Sequence, residues 1–128
     1  MMVIVGHKDI PYKPLYYVES AEEIKTTPAG STLWLGSFAE AKELVKHCFE
    51  NGIEYAVTVE SAKEAIFANA LHAKFIVCGQ PLSTKVQKIA ETYLFDAKIM
   101  VPISDESEIE TVAEAGVDGV IFPDAVVT

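Results

Sequence analysis

The chain has 128 residues, half of them apolar, with 19 acidic against 10 basic side chains and a formal charge of −9. That length suits one domain with its own core and is short for two. The negative charge repels nucleic-acid phosphates and anionic lipid, so neither is expected as a partner.

The first apolar stretch, residues 1–5, is broken by His7, Lys8 and Asp9. That is too short for the core of a signal peptide, and no later run reaches membrane-spanning length, so a cytoplasmic protein is expected. Strands are predicted over 3–5, 15–18, 32–35, 55–59, 75–78, 99–101 and 119–122. Most are continuous apolar runs, as parallel strands covered on both faces are. From the third onward they begin roughly 20 residues apart, which leaves room for a helix and two short loops between parallel neighbours.

Between the strands, a Ser-x-x-Glu element recurs at Ser20 to Glu23, Ser37 to Glu40 and Ser61 to Glu64. Each reads as a capping box, in which the serine oxygen accepts a backbone N–H three residues on and the glutamate reaches back. The helix after Ser20 is cut short by Thr26, Thr27, Pro28 and Gly30. After Ser37, Phe38, Ala41, Leu44, Val45, Cys48 and Phe49 share one helical face, and Asn51-Gly52 stops the helix. Further helices are predicted over 62–71, 86–93 and 106–115, the last ending at Gly116. Its start, Ser104-Asp105-Glu106, is acidic and cap-like, as the positive end of a helix dipole favours. Val18-Glu19-Ser20-Ala21 recurs as Val59-Glu60-Ser61-Ala62, through duplication of a βα unit or because two helices need the same cap.

A closed eight-stranded βα barrel takes about 200 residues or more, and this chain has room for roughly five or six parallel strands. The expected fold is α/β, a mostly parallel sheet of that size built from βα repeats, as an open doubly wound sheet or a partial TIM barrel. No helix follows the strand at 119–122; at a sheet edge it would expose unpaired N–H and C=O groups, so a homo-oligomer, specifically a homodimer, is expected.

Residues 98–126, about a quarter of the chain, include Pro102-Ile103-Ser104-Asp105-Glu106 and Ala115-Gly116-Val117-Asp118-Gly119-Val120-Ile121-Phe122. This stretch resembles the last two βα units of a TIM barrel, above all those of glycerophosphodiester phosphodiesterases. It is similar more loosely to phosphate-binding barrels such as the keto-deoxy-phosphogluconate aldolases. The resemblance implies fold rather than activity. The phosphodiesterases would imply a His-Arg-Gly, a Glu-Asn, a strand-borne Glu-x-Asp and a second histidine; this chain has His7-Lys8-Asp9 and Glu19 in their place. The aldolases would imply a Schiff-base lysine at a strand's end, whereas Lys74 and Lys98 precede their strands. Pro123-Asp124 stands where the phosphate-binding barrels carry Gly-Ser or Gly-Gly.

Ligands of parallel α/β sheets sit outside the strand C-terminal ends. The candidate binding residues there are His7, Glu19, Ser37, Glu60, Cys78, Gly79, Gln80, Ser104, Asp105 and Asp124. The carboxylates among them either bind a divalent metal or polyamine-like cation or complement helix N-termini, and the N-termini themselves suit a small anion. Cys78 is either a thiol activated at a helix start or a buried, inert one; with Cys48 it forms neither a zinc pattern nor a disulfide framework. His47 and His72 suit helix C-termini, and Trp34 and Tyr16-Tyr17 fill core unless clustered and exposed. Two functions follow. One is a non-catalytic binding or interaction domain. The other is a small metal-assisted enzyme acting on a phosphorylated or carboxylated metabolite through His7, Glu19, Glu60 or Asp105. No catalytic set or cofactor is assigned.

Overall fold

The computed structural model describes residues Met1–Thr128. The strands are β1 (Val3–Val5), β2 (Leu15–Tyr17), β3 (Thr32–Ser37), β4 (Tyr55–Thr58), β5 (Phe75–Val77), β6 (Lys98–Pro102), β7 (Gly119–Ile121) and β8 (Val126–Val127). The helices are α1 (Ala21–Ile24), α2 (Lys42–Asn51), α3 (Ala62–Ala70), α4 (Leu82–Thr92) and α5 (Ile109–Glu114). Every strand pair is parallel, in the order β1-β7-β6-β5-β4-β3-β2-β8.

That order forces curvature. In a flat sheet β7 and β8 would lie six spacings, about 29 Å, apart. The chain from Ile121 to Val126 reaches about 18 Å at most. The sheet therefore curls into a half-barrel, and its two ends meet where Gly6, after β1, abuts Ala125, before β8. A Cβ on Gly6 would lie 2.9 Å from the Ala125 nitrogen, and its φ of +101° suits glycine alone. At Gly119 a Cβ would collide with the Val3 carbonyl, so the close approach of β1 to β7 depends on that residue having no side chain.

Alternation along the strands separates two faces. Val5, Leu15, Ala56, Phe75, Val77, Met100 and Ile121 point inward and pack together with Val3, Trp34 and Val126. Leu33, Leu35, Tyr55, Val57, Ile76 and Ile99 point outward under α2 to α4, and Val101, Ile103 and Val120 point outward under α5. Helices thus cover one face only, and the other face is buried against itself. This decides for a partial barrel over a doubly wound sheet, whose helices would lie on both faces.

The fold corrects four sequence-based expectations. The sheet has eight strands rather than five or six, because strands of two or three residues suffice once the curl brings them into register. The strand at 119–122 is not an edge; β7 sits between β1 and β6 and is covered by α5, which removes the stated reason for a dimer. Ser37 caps no helix: it belongs to β3, pairing with Thr58 after a register shift, and α2 begins after Ala41 without a side-chain cap. Conversely, a full capping box exists at Asp105, whose carboxylate accepts the Ser107 N–H at 3.0 Å while Glu108 accepts the Asp105 N–H at 3.1 Å.

Asp118, in the stretch that resembles barrel phosphodiesterases, lies at the N-terminal end of β7 and ties elements together. Its carboxylate accepts from the Ile99 N–H at 2.8 Å and from Gln87 Nε2 at 3.2 Å, and its own N–H donates to Gln87 Oε1 at 3.0 Å. Its role is structural, at the end of the barrel remote from the strand C-termini.

Candidate functional site

Inward positions of β3 to β8 frame a cavity of about 520 Å³. Trp34, Thr58, Val77, Pro102, Ile121 and Val126 each come from a different strand, and Ile103, Ser104, Glu108, Phe122 and Pro123 complete the rim. Because side chains alternate along a strand, Thr58, Val77 and Pro102, two residues beyond Ala56, Phe75 and Met100, stack directly above that interior layer. The cavity is the unfilled top layer of the half-barrel.

Its wall is mostly apolar, and its polar groups are few and fixed. Thr58 Oγ1 donates to the Val77 carbonyl at 3.0 Å. Glu108 Oε2 accepts two backbone N–H groups, from Ser104 and Asp105, both at 3.1 Å. Its second oxygen, Oε1, accepts no hydrogen bond from the chain.

Ser104, Phe122 and Pro123 also border a neighbouring basin of about 400 Å³ formed with Gly6, His7, Lys8, Asp105, Glu106 and Asp124. Here His7 Nδ1 accepts the Asp9 N–H at 3.0 Å. In the neutral ring this places the proton on Nε2, which lies 2.6 Å from Glu106 Oε2. The ring also stands edge-on to Phe122, with centroids 5.3 Å apart. Both nitrogens are engaged, so His7 works as a latch between the loop after β1 and the turn after β6. To act as a base it would first have to release one of these bonds.

The structure divides the candidate residues. His7, Ser104, Asp105 and Asp124 meet in the basin, and Ser104 reaches the main cavity as well. Glu19 and Ser37 face a separate depression beside α2, with Glu40 and Glu43. There the ionisation of Tyr17 is pushed up, first by desolvation and then by Glu19, Glu23 and Glu40. Glu60 is exposed, and its N–H donates to Glu64. Gly79 and Gln80 serve the first turn of α4: the Gly79 carbonyl accepts the Ser83 N–H, and Gln80 accepts the Thr84 hydroxyl.

Cys78 is 1 % exposed and belongs to the core beneath the helices. Burial pushes its thiol up to about 11, as it does for Cys48, so neither is a nucleophile near neutral pH. Nowhere do three or more His, Cys, Asp or Glu side chains gather in the way a metal ion requires.

The chain matches no protein-family model and no curated protein. Its chemistry is therefore read from the cavity. Of the cavity residues, the strand-end polar groups anticipate only Ser104. Apart from Glu108, the others are apolar or inward members of apolar runs, and a search for titratable groups passes over them. Their signal is positional: Thr58, Val77, Pro102 and Ile121 each end a strand.

No helix is long and apolar enough to cross a membrane.

Proposed function

We propose that this protein is a non-catalytic binding module that holds a small, largely apolar molecule in the cavity at the mouth of its half-barrel. The observation that carries this reading is the cavity itself, about 520 Å³, walled by Trp34, Val77, Ile121, Phe122 and Val126 and furnished with a few fixed polar groups. Concave, mostly apolar sites of this size are where small ligands bury most of their surface. The C-terminal face of a parallel half-barrel is also the face on which such folds bind ligands. The formal charge of −9 supports a reading without nucleic acid. A cytoplasmic location belongs to the same reading, supported by two buried cysteines that are both free thiols. The likeness of residues 98–126 to TIM barrels fits the half-barrel and brings no catalytic residue with it.

The alternative, a metal-assisted enzyme, draws on the His7–Glu106 pair beside Ser104 and Asp105. It is the weaker reading, because both His7 nitrogens are engaged and the other carboxylates named for it, Glu19 and Glu60, lie elsewhere.

Trp34 is the only tryptophan of the chain and lies in the cavity wall, so its indole N–H gives a single nuclear magnetic resonance signal that reports on the site. Three probes with one ring system, 2-naphthylmethylamine, 2-naphthalenemethanol and 2-naphthoate, test the reading. At least one should shift that signal saturably, and Val126→Phe, which fills the mouth, should abolish the shift while the rest of the spectrum stays folded. No saturable shift with any of the three would overturn the proposal.

A further inference from the structure

Resting on the reading of the mouth as a binding cavity, we propose that its ligand is a cation: a compound with a flat apolar body and an ammonium-type group that the free oxygen of Glu108 receives. Three observations converge on this class.

The first is the wall. Of the residues that line the cavity, Glu108 is the only charged one, and no lysine, arginine or histidine is among them. An anionic ligand would find no counter-charge there, while a cation would find a carboxylate whose Oε2 is already held by two backbone N–H groups. Those two bonds fix the carboxylate without consuming Oε1. A pre-positioned acceptor loses little freedom when a donor arrives.

The second is the fate of the backbone N–H groups at the strand-to-helix turns. Anions bind α/β proteins through such groups. At the turns after β2, β4 and β6, the last of which borders the cavity, the chain's own side chains occupy them. Glu23 accepts from Glu19 N–H and Glu64 from Glu60 N–H, each at 2.8 Å, and Glu108 and Asp105 take the N–H groups of residues 104, 105 and 107. At these turns an incoming phosphate or carboxylate would have to displace an internal carboxylate and then sit beside it.

The third is the pair of aromatic rings. Trp34 and Phe122 both line the cavity. Their electron-rich faces attract cations, and the attraction grows where water is partly excluded. Aromatic walls with one carboxylate and no competing base suit an aromatic or alkyl amine better than either a neutral or an anionic compound of the same shape.

The test compares the three naphthyl probes by calorimetric titration. The amine should bind about tenfold more tightly than the alcohol, the gain of a cation–π contact and one charge-assisted hydrogen bond at a partly open site, and the carboxylate should be weakest. Glu108→Gln, whose carboxamide oxygen still accepts the two N–H groups, should bring the amine to within about twofold of the alcohol. Glu110→Gln removes the same formal charge from α5 outside the cavity wall and should keep the amine preference. Equal binding of amine and alcohol, tighter binding of the carboxylate, or an amine preference that survives Glu108→Gln would each overturn the cationic class while the cavity reading stands. Binding of none of the three would remove the cavity reading and this inference with it.

Discussion

Two places in the molecule start a helix in the same way and finish differently. At Ser20 and Ser61 the cap residue has φ/ψ of −150°/161° and −152°/161°. Each serine Oγ accepts the N–H of the glutamate three residues on, at 3.3 and 3.2 Å, and each glutamate reaches back to the N–H before the serine at 2.8 Å. Yet α1 lasts four residues and buries none, while α3 runs for nine and buries Ala65 and Ala68. A capping box fixes where a helix begins; what lies beneath it decides whether it continues.

The positions that differ are readable side by side. Ala68 of α3 corresponds to Thr27, and Asn69 corresponds to Pro28. Ala68 is fully buried against the sheet, and the Tyr55 hydroxyl from β4 donates to the Leu71 carbonyl at 2.8 Å, closing the helix end. Burial pushes the ionisation of Tyr55 well above the ordinary tyrosine range, so it stays a donor at any ordinary pH. At the twin site, Thr26 and Thr27 turn their hydroxyls onto the Glu23 and Ile24 carbonyls at 2.7 Å, and Pro28 supplies no N–H to carry a helix on.

The strongest way to break the pair is to overfill the buried half. Ala68→Leu has no room beneath α3 and should cost about 1–3 kcal/mol in urea unfolding, whereas Thr27→Leu, at the half-buried twin position, should stay within about 0.5 kcal/mol. Equal effects at the two positions would mean that α1 packs as α3 does. Removing the caps comes next. Ser61→Ala should cost about 1 kcal/mol, because the start of a nine-residue packed helix is lost with it, and Ser20→Ala only a few tenths. Smallest of all is the attempt to convert one twin into the other. Pro28→Asn restores a donor, but Gly30 follows and no apolar face is waiting, so amide exchange protection should not extend beyond Thr27. Protection reaching residue 30 would show that proline alone stops α1.

These two sites also show how far the residues themselves could be read. The strand-like runs and the helix starts at Ser20 and Ser61 are local patterns, and the structure places them within a residue or two of expectation. Ser37 failed as a cap because the same motif sat in a strand: its ladder pairing with Thr58 outcompeted a local cap. Asp105 and Glu108 form the box one residue later than the serine suggested, since an aspartate caps as well as a serine does. Of the candidate binding residues, His7, Ser104, Asp105 and Asp124 come together in one basin and Glu19 and Ser37 in another. Apart from Glu108, the cavity is walled by residues that a search for titratable groups passes over.

The sequence by itself determined the α/β class, the parallel character of the strands and the points where α1 and α3 begin, because these follow from hydrophobic runs and side-chain bonds spanning four residues or fewer. Tertiary structure decided the rest. Strands buried on both faces look equally apolar on each, so nothing local says which face the helices cover and which curls inward. The two residues of β8 have no period to detect and become a strand only because the curl carries them alongside β2. The cavity, and the carboxylate of Glu108 at its rim, exist for the same reason: six strands converge there, and no single stretch of chain holds more than a few of its walls.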